Sequence, residues 1–272
     1  MLKFTAFRPE PALVFLVERY VLIEAELQSG FVWEQMMVPT RMEWFFFNLA
    51  SSPAEFTVQG EVVTVDRCTV TGLYPYSFDA NLKGRVKLLG VQMKPSALHQ
   101  VLGISLSDFR LHTSPLEVII GNKAVELSNL MLEAGTTELA INVFERYFKR
   151  LIVDRAKNNT NLLHAISIID SSNGSVSVRE LSQETKVTER TLQKIFLNHI
   201  GITPKEYIRV TRFNGVVKYL MTGQSYDWTK IVENFGYYDQ SHLINDFKSI
   251  CGIPPSVYFS TIPEAHRFIQ NI

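Results

Sequence analysis

Cysteine is almost missing from this chain: Cys68 and Cys251 are the only two in 272 residues. No CxxC pair exists, so neither a thiolate zinc knuckle nor a dithiol redox motif is readable. Two lone thiols suit a reducing compartment, where they behave as small apolar residues. Net charge is absent as well, with 27 basic against 27 acidic side chains, so the whole chain exerts no global pull on a polyanion. No apolar run approaches the ~18–20 residues that a membrane-spanning helix needs. The opening MLKFTAFRPEPALVF lacks an apolar core followed by a small-residue cleavage site, so the expected location is the cytoplasm. GxSxG, a Walker loop, GxGxxG after a strand and HExxH are all missing, and with them the common enzyme signatures. No enzymatic activity, metal or cofactor is expected. His99, His112, His164, His199 and His266 are scattered, with structural roles as the default. His242 has no Cys, His or carboxylate partner at a ligand spacing.

What is present is an apolar fraction of 46%, ordinary for a globular protein with a real core. The length allows two domains. Charge is unevenly spread: residues 1–143 hold 11 basic and 15 acidic side chains (−4), residues 144–272 hold 16 and 12 (+4). Leu13, Leu16, Val17 and Tyr20 follow the i, i+3, i+4, i+7 spacing of a short amphipathic helix after Pro11. The stretches EWFFFNLA, AEFTVQGEVVTVDRCTV and GRVKLLGVQM then read as strands. Ser-Ser-Pro, Gly60 and Asn81–Gly84 supply the turns between them. From Pro95 the pattern is helical. KPSALHQVLG is a short helix stopped by Gly103. TTELAINVFERYFKRLIVD is a long one with Leu139, Val143, Tyr147 and Leu151 at fourfold spacing, started by Thr136–Thr137. DSSNGS (170–175) is the clearest composition break after the strands, and Asn158–Asn159 competes with it.

Beyond that break the helix signals become dense. Ser177 and Glu180 form a capping box that opens RELSQETK. After a tight turn Thr188 caps TERTLQKIFLNHIG. Leu192, Ile195, Phe196 and His199 make one stripe of that helix. Glu189, Arg190, Gln193, Lys194 and Asn198 make the opposite one. A short helix, a turn and a second helix with a long-armed polar face is a helix-turn-helix, and such side chains can hydrogen-bond base edges in a major groove. Thr203-Pro204-Lys205-Glu206 is a second capping box. Its helix carries Tyr207, Val210, Phe213, Val217 and Leu220 on one face and ends near Gly223. The two-helix pattern then recurs: Asp227 caps WTKIVENF, Gly236 turns the chain, and Asp239 caps QSHLINDFKSICG with Leu243 and Phe247 inward. The intervening helix, of about 17 residues, spans roughly 25 Å, a plausible strut for holding two reading helices ~34–36 Å apart, one DNA turn.

These residues carry a resemblance. LSQETKVTERTLQKIFLNHIGITPKEYIRVTRF followed by IVENFGYYDQSHLINDFKSICGIPPSVYF resembles the DNA-binding domain of the AraC/XylS family of bacterial transcription regulators, over about residues 164–260. The resemblance implies two helix-turn-helix units, about 178–200 and 227–250, used in adjacent major grooves. It puts the first base-reading positions on Arg190, Gln193 and Lys194, and the second on Gln240, Ser241, His242, Ile244 and Asn245. Thr188 and Lys248 complete the expected DNA-binding set. Tyr237, Phe247, Ile253, Tyr258 and Phe259 are expected as core and staple residues. Four positions depart from the family pattern. Asn245 stands where Arg is common, and Asn favours adenine. Asp246 would repel phosphate if it faced DNA. Gly215 replaces a frequent Arg, at ~1 kcal/mol of helix propensity against Ala. Val232 stands where Ala is preferred.

PALVFLVERYVLIE and VKLLGVQMKPSALHQVLG resemble an uncharacterised N-terminal module attached to this kind of regulator, over about residues 5–150. An α+β N-terminal domain with flanking helices is expected; the strands fit a cupin-like β-barrel, a sandwich or an open sheet. In the family at large this half binds a small effector, mediates dimerisation, or both. Two readings stand beside each other: a ligand pocket lined by Trp44, Phe45, Phe47, Tyr74, Tyr76 and Phe78, or a homodimer platform in which residues 137–153 pair. The division expected is 1–157 for sensing or dimerisation and 158–272 for DNA binding by an all-α domain. Partners implied are double-stranded DNA, a small-molecule effector, a second copy, and RNA polymerase if the protein activates. The alternative is a protein-interaction module whose degenerate helix-turn-helix has little DNA affinity.

Overall fold

The computed structural model describes residues 2–28, 30–50, 52–58, 61–110, 113–155, 159–221 and 228–261. β-branched and aromatic residues crowd the first third of the chain, and there it is mostly strand. β1 (Leu2–Phe7), β2 (Val17–Glu26), β3 (Val32–Met37), β4 (Glu43–Asn48), β5 (Ala54–Val58), β6 (Glu61–Val65), β7 (Cys68–Thr71), β8 (Phe78–Lys83) and β9 (Arg85–Met93) come first. Then follow α1 (Ala97–Leu102), β10 (Thr113–Pro115), α2 (Leu116–Ile120), α3 (Asn122–Glu133) and α4 (Thr137–Arg155). The remaining elements are helices: α5 (Thr160–Ser171), α6 (Val178–Thr185), α7 (Glu189–Ile200), α8 (Pro204–Met221), α9 (Trp228–Asn234), α10 (Gln240–Cys251) and α11 (Pro255–Thr261). The chain divides into two units. The first is Met1–Met36, Met42–Gly72 and Asp79–Lys157; the second is Met37–Arg41, Leu73–Phe78 and Asn158–Ile272.

In the first unit a six-stranded sheet runs in the order β1-β2-β9-β4-β7-β10, beside a four-stranded sheet β3-β8-β5-β6. Among the described residues β1 and β10 end the strand order, whereas a barrel must pair its first and last strands. The sheet is therefore open, and the cupin-like barrel is corrected. Strand alternation sorts side chains by face. Phe45 lies opposite Val91 and Phe47 opposite Leu89, and all four point into the larger core with Tyr20 and Met93. Ala25, Val86 and Leu88 face the other way, into a second cluster with Ala54, Val65 and Leu82. Such two-sided burial accounts for one misreading. Leu13, Leu16, Val17 and Tyr20 are all buried as their spacing predicts, but the backbone makes only a 3-10 turn at Pro11–Leu13 before entering β2. A short run of apolar residues fits both periods, and pairing with β1 and β9 decides it.

The long helix is where its spacing places it, with Leu139 N donating to the Thr136 hydroxyl at 3.3 Å. Its buried ridge is displaced, however. Ala140, Ile141, Phe144 and Phe148 fill the core; Val143, Tyr147 and Leu151 lie at its margin, and Leu139 is 51% exposed. Phe144 and Phe148 stack at 4.0 Å and meet Phe45 edge-on, at 6.2 and 5.3 Å, so the larger rings win the interior. Glu43, fully buried at the start of β4, accepts hydrogen bonds from the Ser96 and Leu98 amides, each 2.8 Å, and so caps α1. Burial pushes its carboxyl up to about 8 against the pull of those two amides.

The second unit packs α5, α6, α7 and the start of α8 around Leu162, Ile169, Leu181, Leu192, Phe196, Ile200 and Tyr207. DSSNGS, the composition break, lies inside this unit as the α5–α6 connection, and it is no boundary. Gly174 there has φ +75, and a Cβ on it would sit 2.8 Å from the Ile208 carbonyl oxygen, so the loop lies directly on α8. The Gly60 turn, Asn158, the Gly223 stop and the Asp227 cap fall outside the described residues.

Candidate nucleic-acid interface

Local chemistry sets up both helix pairs. The Ser177 hydroxyl accepts from Glu180 N at 3.2 Å and the Glu180 carboxylate accepts from Ser177 N at 2.7 Å, which completes the capping box of α6. Those bonds hold the Glu180 carboxyl below its ordinary value. Thr188 caps α7 by accepting from Thr191 N at 3.2 Å. Helix α7 buries Leu192, Phe196 and Ile200 and ends at Gly201 with φ +84. Thr188, Arg190, Gln193 and Lys194 are exposed on its other side. Among the described residues the Arg190, Gln193 and Lys194 heads meet no protein partner.

Helices α9 and α10 repeat the arrangement. Gly236 (φ +64) turns the chain, and Asp239 caps α10 by accepting from His242 N at 2.7 Å. Leu243, Phe247, Ile250 and Cys251 point inward. Gln240, Ser241, His242, Asn245 and Lys248 are exposed, and Ile244 is half-buried. His242 Nδ1 accepts from Tyr238 N at 3.2 Å, and with Nδ1 as acceptor the ring's N–H is on Nε2. Tyr238, 90% exposed just before α10, was not singled out by sequence; a lone aromatic in a turn has no periodicity to flag it. Tyr237, Phe247 and Tyr258 are buried and Ile253 and Phe259 half-buried, in agreement with their expected core and staple roles.

The strut is α8. Its 18 residues span about 27 Å at 1.5 Å per residue, and it buries Tyr207, Ile208, Val210, Phe213, Val216, Val217 and Leu220. Two departures from the family pattern acquire a physical reason here. A Cβ at Gly215 would lie 2.4 Å from Phe235 Cε1, so glycine admits the ring against the helix. Asp246 faces inward with its side chain 10% exposed: it accepts from Arg209 Nε at 2.7 Å and from the Tyr237 hydroxyl at 3.4 Å. Its charge is met inside the domain. Burial and that carboxylate push the Tyr237 phenol well up. Arg209 also donates to the Ser249 hydroxyl. One turn further on, Arg212 donates to the Gly174 carbonyl at 2.9 and 3.2 Å and lies 4.9 Å above the Tyr237 ring.

The candidate effector rings Trp44, Phe45 and Phe47 do not share one face of the sheet. Phe45 and Phe47 are core, while Trp44 lies on the opposite sheet face, stacked on Phe46 at 5.4 Å across Gly90. Tyr74, Tyr76 and Phe78 pack on one another in a segment of the second unit. Among the described residues no group of His, Cys, Asp and Glu could hold a metal, and no helix is long and apolar enough to cross a membrane. His99 Nδ1 bonds the Ile104 carbonyl at 2.6 Å, His164 is exposed, and His199 lies 3.5 Å from Asn159; His112 and His266 are outside the described residues.

Residues 181–261 match the family model described as a helix-turn-helix domain, and residues 5–115 match a domain of unknown function, DUF6597. No curated protein matches the sequence significantly. Among solved structures the chain is similar to an apo variant of ToxT from Vibrio cholerae, with TM-score 0.46, 13% identity, and 90% of this chain and 98% of that one covered. It is also similar to ToxT from the same organism bound to an unsaturated fatty acid, with TM-score 0.44, 12% identity, and 88% and 94% covered. The AraC-like transcriptional activator CuxR is similar at TM-score 0.27, 12% identity, and 82% and 87% covered. A β-rich unit with flanking helices followed by a helical unit with two helix-turn-helix pairs is the build of a DNA-binding transcription regulator. Residues 181–261 form a helix-turn-helix domain of the AraC type.

Proposed function

We propose that the protein is a sequence-specific regulator that lays α7 and α10 into neighbouring major-groove segments of one duplex. One observation carries this reading: two N-capped helices, each with a buried face and an exposed polar face, flank one 18-residue strut. Arg190, Gln193 and Lys194 on α7 and Gln240, Ser241, His242, Ile244 and Asn245 on α10 contact base edges, while Thr188 and Lys248 contact phosphate. Phosphate contacts set register and affinity, and base contacts set specificity. The N-terminal unit senses a small effector or pairs with a second copy through α4. The protein works in the cytoplasm, and contacts RNA polymerase if it activates. Its role is binding and not catalysis.

Recovery of bound fragments from a random duplex pool tests the reading. With the selected site in hand, Arg190→Ala lowers discrimination by about 1–3 kcal/mol if the guanidinium makes a bidentate base contact. Equal loss on selected and random DNA assigns Arg190 to phosphate. Failure to enrich any sequence favours the protein-interaction module. Asp246 no longer speaks for that alternative, because Arg209 already matches its charge.

A further inference from the structure

A groove of about 740 Å³ runs along α8 between the start of α6 and the α9–α10 turn. That volume suits a segment of a larger molecule better than a lone ion. Lys205, Arg209 and Arg212, at i, i+4 and i+7 of α8, line one wall. Ser175, Ser177 and Glu180 line the second, and Gly236, His242 and Asp246 the third. The two acids are internally occupied, Glu180 by the Ser177 amide and Asp246 by Arg209. Arg212 is held on the Gly174 carbonyl. Lys205 is different: it is exposed, and among the described residues its ammonium has no partner. His242 lines the same groove, with its Nδ1 taken by Tyr238 N. An ammonium and the Ser175 and Ser177 hydroxyls are donors that a phosphate oxygen accepts from.

We propose that this groove seats a phosphate of the DNA backbone, gripped by Lys205 between the two helix-turn-helix units. The proposal rests on the DNA-reading function above and adds a contact that the two reading helices do not supply. The backbone is the source of that phosphate because His242 belongs both to the groove and to the exposed face of α10. A duplex lying on that face brings its strand across the opening.

The test uses the full chain and a random-sequence duplex, with binding read by fluorescence anisotropy over a range of salt. Each phosphate contact contributes about 0.9 to the slope of log K against log salt. Lys205→Ala and Lys205→Gln should each make that slope shallower by about one contact and weaken binding equally on every sequence. Lys218→Ala, an exposed α8 lysine outside the groove, should leave it unchanged. An unaltered slope in both Lys205 variants overturns the seat while the regulator stands. So does a thermal shift of the wild type by inorganic phosphate that Lys205→Ala abolishes without changing the slope, since the groove then holds a free anion. A wild-type chain without affinity for any duplex overturns the function and the seat together.

Discussion

Replacing Gly215 by alanine sets two effects of similar size against each other. Alanine in a helix interior is worth up to about 1 kcal/mol over glycine. The new Cβ would lie 2.4 Å from Phe235 Cε1 and 2.9 Å from Cδ1, where carbon atoms normally stand about 3.5–4.0 Å apart. The Phe235 ring must therefore move by about 1 Å. It is buried and packs edge-on against Tyr219 at 6.2 Å, so the movement disturbs its neighbours. Overpacking of this kind costs about 1–3 kcal/mol. The expected outcome is a net loss of roughly 0–2 kcal/mol, seen as a lower urea midpoint by far-ultraviolet circular dichroism. The sharper test is a cycle with Phe235→Ala. Once the ring is gone, Gly215→Ala should change sign and stabilise by up to about 1 kcal/mol. Stabilisation in the wild-type background, or the same effect in both backgrounds, refutes the packing account.

Two further perturbations probe other charged or buried groups. Glu43 has a folded-state value of about 8, raised from 4.5, so between those values the native chain holds its proton more tightly than the unfolded chain. Its contribution to stability is complete below pH ~4.5 and is lost as pH rises through about 8. Wild type should lose more thermal stability than Glu43→Gln between pH 5 and 8.5; a wild-type curve that rises relative to the variant means the Ser96 and Leu98 amides keep the carboxylate ionised. Arg209→Ala strands a mostly buried Asp246, at a cost of about 1–2 kcal/mol once the partial exposure of the arginine is allowed for. Adding Asp246→Asn should recover much of it, and strictly additive losses in chemical denaturation would contradict the pairing.

The C-terminal half was legible because its signals are local. A capping hydroxyl bonds an amide three residues on, a turn glycine needs only its own φ, and α7 and α10 sort their faces within four residues. The capping box at Ser177, the cap at Asp239 and the inward Leu192, Phe196, Leu243 and Phe247 could all be read from neighbours in the chain. The N-terminal half was legible mainly where runs were strongly β-branched or aromatic. β1, β3, β8 and β10 are short, and β2 is covered on both faces, so their identity rests on partners far away in sequence. The α4 ridge moved by one position because Phe45 and Phe47 present rings to Phe144 and Phe148.

Sequence by itself therefore determined the order of the helices in the two helix-turn-helix pairs, their caps and the side chains on their polar faces, since hydrogen bonds and periodicity within a turn require no distant partner. Only the tertiary structure decided that the sheet stays open, that Asp246 turns toward Arg209, that Gly215 exists to receive Phe235, and that Lys205 borders a groove. Each of those depends on atoms brought within a few ångströms by packing between segments remote in the chain, and that proximity has no signature in the order of residues.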